Sequence, residues 1–221
     1  AKTASDGQRR FIYGWDPTRT DQSDTKNWNW GGNLVVHEVF QQPDGSLTVR
    51  IPPEVASQFA SDIPLQNKPQ MGNWLWDDHS VSVHAESSFA WMCIASMPPS
   101  SMIETTITFA EQTRYVGIVV RADDELNRGY QIRFEPGLNR MVFDRFPRPG
   151  DEPPIIERPI DLAPGEPVHV RILVEGSMIV VYANDQIALS TRGYEHSGGS
   201  YGLFVSEGAA AFANTRVREC R

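Results

Sequence analysis

From residue 80 onward, apolar and polar residues alternate with a period of two. Val168, Val170, Ile172 and Val174 alternate with His169, Arg171, Leu173 and Glu175, and Tyr130, Ile132 and Phe134 alternate with Gln131, Arg133 and Glu135. Successive side chains of a strand point to opposite faces, so this pattern predicts strands with one face on a core and the other in water. Comparable runs fall near 80–85, 89–96, 102–110, 115–121, 140–146, 155–160, 178–182, 186–190, 201–206 and 211–218. Turn chemistry separates many of them, as in Glu175-Gly176-Ser177, Asn184-Asp185 and Ser197-Gly198-Gly199. Many short alternating strands with few helices pack as two antiparallel sheets, a β-sandwich. The segment 147–154 (PRPGDEPP) is too rich in proline for a central strand and belongs at an edge or rim.

The front of the chain reads differently. Residues 28–53 (WNWGGNLVVHEVFQQPDGSLTVRIPP) hold two β-rich runs split by Pro43-Asp44-Gly45, which predicts a hairpin whose turn uses the positive φ open to Gly45. Residues 1–10 are polar and expected to fray. Residues 11–15 (FIYGW) form a short β-type run that ends at Asp16-Pro17, read as a turn, and 18–27 are expected to be an exposed loop. Val55, Ala56 and Phe59 share a face of one short helix over 54–60. The expected organisation is a set of front strands over 1–60, a linker over 61–73 and a sandwich over 74–221.

Charge narrows the partners. A net charge of −8 argues against binding nucleic acid, which needs a basic face, and against attraction to anionic membranes. A neutral, hydroxyl-rich ligand such as a sugar is indifferent to it. Cys93 sits in an apolar run and reads as a buried thiol, and Cys220 near the end reads as loose. Two cysteines build neither a disulfide framework nor a four-ligand zinc site. No apolar run approaches membrane-spanning length, and the N-terminus does not read as a signal peptide, which leaves the compartment open.

The front motifs resemble the last propeller blade of glycoside hydrolase family 32, the β-fructosidases. The residues that carry the resemblance are the aromatic run ending in Gly14-Trp15, then Trp30-Gly31-Gly32, the apolar strand from Leu34 to Glu38, and the Asp44-Gly45 hairpin. Where the family frequently has Pro-Arg-Glu, this chain has Val36-His37-Glu38. The sandwich is similar to the module that follows the propeller there, and 180–192 (VVYANDQIALSTR) is similar to its late strands. The resemblance covers the whole chain. It implies an all-β fold: an antiparallel β-sandwich of concanavalin-like jelly-roll type, preceded by strands of an incomplete β-propeller blade. It also implies a parent enzyme that hydrolyses β-fructosides such as sucrose or fructans through a carboxylate nucleophile and a carboxylic acid/base, with no metal and no other cofactor.

No catalytic residue is recognisable here. The family carries its nucleophile in an Asn-Asp-Pro-Asn-Gly segment, its stabilising aspartate in Arg-Asp-Pro and its acid/base in Glu-Cys. Asp16-Pro17 follows Trp15 and lacks the trailing Asn-Gly, Glu219-Cys220 lies at the terminus, and Arg121-Ala122-Asp123 departs from Arg-Asp-Pro. A retaining glycosidase needs two carboxyls about 5 Å apart across the scissile bond. Asp77-Asp78 with Asp123-Asp124-Glu125 offer oxygen ligands of the kind calcium takes, but loop carboxylates are more simply solvated. His79 and His84 are expected on opposite faces of a strand, as are the adjacent His37 and Glu38, so neither pair makes a metal or catalytic site.

Sugar binding is the positive expectation. Aromatic rings lie under the C–H faces of sugars while a few placed polar groups bond the hydroxyls. Trp74 and Trp76 would share one face as platforms, with Gln131, Arg133, Glu135 and Arg171 as the polar surface; the plainer alternative is that the tryptophans plug the linker against the sandwich and the charges simply meet water. Two rivals remain: a stand-alone carbohydrate-binding module, and a structural or oligomerisation domain. The partners implied are a fructoside and a propeller that lies upstream or on a partner subunit.

Overall fold

The computed structural model describes residues 1–221 apart from Asp124, Pro149, Ser197 and Gly198. The first unit is a four-stranded antiparallel sheet of β1 (Lys2–Ser5), β2 (Arg10–Arg19), β3 (Trp28–Gln41) and β4 (Leu47–Arg50), in that spatial order. This is the size of one propeller blade. The hairpin expected at Asp44-Gly45 joins β3 to β4, with Gly45 at φ 89°. Residues 2–5, expected to fray, instead pair with β2 from Lys2↔Tyr13 to Ser5↔Arg10. Asp16-Pro17 lies inside β2 rather than in a turn, because Asp16 pairs with Asn33 and Pro17 with Gly32. Helix α1 is a single turn, Pro53–Ala56, opened by a proline whose missing N–H costs nothing there.

The remaining strands are β5 (Phe59–Ile63), β6 (Lys68–Met71), β7 (Trp74–Asp77), β8 (Ser80–Ser96), β9 (Ser100–Phe109), β10 (Tyr115–Ala122), β11 (Gly129–Glu135), β12 (Arg140–Phe146), β13 (Ile156–Pro159), β14 (Val168–Glu175), β15 (Met178–Ala183), β16 (Ile187–Arg192) and β17 (Ser200–Cys220). They form two facing layers. One runs β13-β12-β11-β10, then the first part of β17, the second part of β8, and β6. The other runs β16-β15-β14-β9, then the rest of β17, flanked by the first part of β8 with β7 and, at its end, by β5.

Two pairs of expected strands are thus each one long strand. β8 and β17 cross together from layer to layer, and the crossing is marked by a register shift between Ser206 and Gly208. Glu207 has φ 52° and Gly208 φ 146° at that bend. A Cβ on Gly208 would lie 2.4 Å from the Thr113 Cα, so only glycine fits. The hydroxyl of Thr113 closes the corner, donating to Ala209 O at 2.8 Å.

The core between the layers is built from the inward set that alternation marked. Val168, Val170, Ile172 and Val174 pack with Tyr130, Ile132, Phe134, Met141 and Phe143. Outside the second layer lies a smaller cluster in which Val35 and Ile51 of the blade meet Met102, Leu173, Val180 and Tyr182. That contact explains Leu173, the apolar member of an otherwise polar face: the blade covers it.

Polar staples fix blade to sandwich. Arg192, 4% exposed, donates to the carbonyls of Asp16 (2.8 Å) and Pro17 (3.1 Å) and to the side chains of Asn33 (2.6 Å) and Ser177 (2.7 Å). Asp24, in the segment expected to be an exposed loop, is buried; it accepts from the Tyr130 hydroxyl at 2.6 Å and the Tyr194 N–H at 2.7 Å. Burial, reinforced by that Asp24 carboxylate, pushes the Tyr130 hydroxyl's pKa upward, so it stays a donor. Cys93 is buried as expected, whereas Cys220 is half-buried in β17, opposite Phe59, rather than loose. No helix among the described residues is long and apolar enough to cross a membrane.

A candidate binding face on the outer side of the first layer

Strand β11 sends Tyr130, Ile132 and Phe134 inward, so Gln131, Arg133 and Glu135 stand together on the outer face. Alternation alone places that face in water. Instead all three are buried, Arg133 at 9% exposure and Glu135 at 2%. The reason is pairing. The Arg133 Nε donates to Glu135 Oε1 at 2.6 Å, one terminal nitrogen donates to Gln131 Oε1 at 3.2 Å, and the other lies 3.6 Å from Asp144. Arg140 takes the second oxygen of Glu135 at 2.7 Å and reaches Glu157 at 2.6 Å. Arg148 holds Asp144 through its Nε at 2.7 Å.

Register brings these groups together. Gln131 stands opposite Asp144 and Glu135 opposite Arg140, while Arg133 faces Val142 on one side and Gly117 on the other. The Arg133 guanidinium also lies 5.0 Å from the Tyr115 ring centroid. Three arginines and three carboxylates balance, so the cluster is neutral and attracts neither anions nor cations. Both oxygens of Glu135 are engaged by guanidiniums, so neither is free to act as a nucleophile.

The other half of the same face is aromatic. Phe89 stacks on Phe146 (6.2 Å, 3° between planes) and on Phe204 (5.7 Å). They join Trp91, Cys93, Val119 and Leu126 in one cluster. The Trp91 indole N–H is buried there without a partner among the described residues. An apolar wall beside a few fixed polar groups is the composition of small-ligand sites. Asp144, Arg148, Tyr115 and the aromatic wall escaped the reading of the sequence. The one signal for Asp144 was its place in β12, in phase with Val142 and out of phase with the core residues Met141 and Phe143.

The other sugar-binding candidates lie elsewhere. Trp74 is not a platform: it is 4% exposed, packs on Phe212 in the core, and its indole N–H donates to Met71 O at 3.0 Å. Trp76, half exposed, stands at the end of the same strand. Arg171 is on the outer face of the opposite layer, paired with Glu104 at 2.9 Å and Asp185 at 2.8 Å. Of the proposed set, only Gln131, Arg133 and Glu135 come together.

Chemistry elsewhere is sparse. Asp16 is buried 3.8 Å from Arg192; burial raises its pKa to about 6 against the pull of Arg192 and Arg19, but among the described residues no second carboxyl is paired with it. The Nδ1 of His37 bonds the Tyr182 hydroxyl at 2.8 Å between blade and sandwich, and burial lowers its pKa. Among the described residues no group of three or more His, Cys, Asp or Glu is placed to hold a metal. Asp124 of the calcium candidate and Ser197-Gly198 of the expected turn lie outside the described residues.

Residues 65–219 match the family described as glycosyl hydrolases family 32 C terminal. Among solved structures, the carbohydrate binding module CBM66 from Bacillus subtilis is similar over 73% of this chain and 99% of its own, with a TM-score of 0.63 and 19% identity. Exo-inulinase from Aspergillus awamori is similar over 96% of this chain and 40% of its own (TM-score 0.63, 11% identity). Sucrose-6-phosphate hydrolase from Lactobacillus gasseri is similar over 96% and 39% (TM-score 0.57, 14% identity). At these identities the likeness is one of fold, and the chain spans about two fifths of the length of those two enzymes. No curated protein matches the sequence significantly.

Proposed function

The chain belongs to the C-terminal family of glycosyl hydrolases family 32, and from that premise we propose that it is the non-catalytic, sugar-holding end of a hydrolase acting on β-fructosides such as sucrose or fructans. The observation that carries this reading is the buried, charge-balanced cluster of Gln131, Arg133 and Glu135 beside an aromatic wall on an outer sheet face. A neutral sugar matches it: C–H faces for Phe89 and Phe146, hydroxyls for the Gln131 amide and the arginine fork. The fold shared with a module named for carbohydrate binding, and with enzymes named for inulin and sucrose phosphate, supports the reading. The catalytic carboxyls belong to a propeller that lies upstream or on a partner subunit. The blade's outward face, with Trp15, Leu34 and Trp30 exposed, is the surface on which that propeller docks.

Calorimetry or gel retardation of the whole chain with fructose, levan and inulin tests this. Binding that Gln131→Ala weakens and Arg133→Ala abolishes, in folded variants, is the expected result. Absence of binding at millimolar sugar overturns it in favour of a bracing role, which the complete internal pairing of the cluster also fits. Co-purification with a propeller fragment then identifies that role. Hydrolysis of sucrose or inulin by this chain alone would refute the assignment of the catalytic groups to another segment.

A further inference from the structure

A cavity of about 340 Å³ opens where the segment 64–67, the β7–β8 turn and the later part of β17 meet. Its floor is the core itself: Ile94, Leu203 and Phe212, each no more than 1% exposed, line it. Half-exposed Trp76 stands on the lip. Asp78, His79, Asn67 and Asn214 are among the residues that line its rim. None of these four side chains is hydrogen-bonded or ion-paired to another described residue. The carboxylate of Asp77 is occupied by the Asp78 N–H at 2.8 Å, and Arg216 reaches Asp62 at 3.3 Å.

The rim is held in place although its side chains are free. The Asn214 N–H donates to His79 O at 3.0 Å, tying β17 to the β7–β8 turn. Asn214 and Asn67 both sit at positive φ, 53° and 45°, conformations that asparagine tolerates better than most residues. This is the reverse of the Arg133 face, where the polar groups satisfy one another. Here an apolar floor and an aromatic ring lie under four unengaged polar groups that include both donors and acceptors, and the volume falls in the lower range of small-ligand pockets.

We infer that this cavity is a second sugar-binding site, independent of the Arg133 face, which takes one neutral sugar ring with an apolar face against Trp76 and the floor and its hydroxyls on Asp78, His79, Asn67 and Asn214. The chemistry excludes the main competitors. Two aspartates stand against a single arginine, Arg216, which is itself paired with Asp62, so the lining is net acidic and disfavours phosphate and nucleotides, and the polar rim suits neither a lipid nor an apolar peptide. Too few oxygen ligands converge for a calcium ion.

The test uses the whole chain, isotopically labelled, titrated with fructose, glucose, galactose and sucrose while the Trp76 indole N–H resonance is followed; Trp76→Phe identifies that resonance. The expected result is saturable movement of this resonance and of the Asn67 and Asn214 amides with at least one sugar. Trp76→Ala should weaken it about tenfold or more, and Asp78→Asn should weaken it measurably. Both positions are exposed, so thermal unfolding should be unchanged. Arg133→Ala should leave the response intact. The inference is overturned if no sugar moves these resonances, if Trp76→Ala responds as the parent does, or if Arg133→Ala abolishes the response. It is equally overturned if calcium chloride or choline saturates the site and the sugars do not. Sugar binding here with none on the Arg133 face would defeat the reading under Proposed function and leave this one standing.

Discussion

Asp16 shows how one residue's burial becomes a pH dependence. Its carboxyl is 3% exposed, one oxygen has no hydrogen-bond partner, and its pKa rises from 3.8 to about 6 because burial outweighs Arg192 and Arg19. A carboxyl raised on folding binds more protons in the folded state between those two values. Stability therefore falls as pH rises through that window, and the deficit persists above it. Asp16→Asn should flatten this part of the profile and stabilise the chain near pH 8 by about 1–3 kcal/mol, as read by urea unfolding across pH. Gly202 makes a second prediction at this scale. A Cβ there would lie 2.0 Å from the Trp91 ring and 3.0 Å from Met92 O, so Gly202→Ala should cost about 1–3 kcal/mol and disturb the aromatic wall, seen as a changed near-ultraviolet dichroism. The inward set Tyr130, Ile132 and Phe134 was legible from alternation, and so was the side on which Gln131, Arg133 and Glu135 stand. Their burial was not, because it depends on Asp144, Arg140 and Arg148, which reach them only through register and loop closure.

Among the elements, β8 and β17 organise the sandwich by belonging to both layers. Reading each as two strands followed from the polar interruptions near 86–88 and 207–208. Those residues turn out to be bends within continuous strands, the second made possible by Gly208. A local pattern distinguishes apolar from polar positions but not a bend from a break. β16 carries the firmest link to the blade through Arg192, whose guanidinium is shared among two carbonyls, Asn33 and Ser177. Arg192→Ala would leave those buried acceptors unpaired and should cost about 3–5 kcal/mol. Hydrogen exchange should then quicken in β2 and β3 before it does in β9 or β14. Equal quickening throughout would mean that blade and sandwich unfold as one unit irrespective of this staple.

Across the whole molecule, the asymmetry of the blade matters most. One face is sealed against Met102, Leu173, Val180 and Tyr182, while on the rest of the sheet Trp30 is 92% exposed and Leu34 68%. Exposed apolar area on this scale marks an interaction surface. The chain by itself should therefore self-associate with rising concentration in sedimentation experiments. Trp30→Ser with Leu34→Ser should suppress this without lowering the unfolding temperature, since neither side chain is buried. Association unaltered by that pair would place the sticky surface elsewhere.

The sequence by itself determined the strand-rich character, the inward set of each alternating strand, the blade hairpin at Asp44-Gly45 and, through its motifs, the family. These are properties of neighbours along the chain, where side-chain period and turn chemistry act. The tertiary structure alone decided that Trp74 is core and Trp76 surface, and that Arg171 lies a full layer away from Arg133. It also decided that Asp24 is a buried staple and that residues 2–5 pair rather than fray. Each of these depends on which distant strand lies alongside, and a strand's own residues specify two faces without specifying what will cover them.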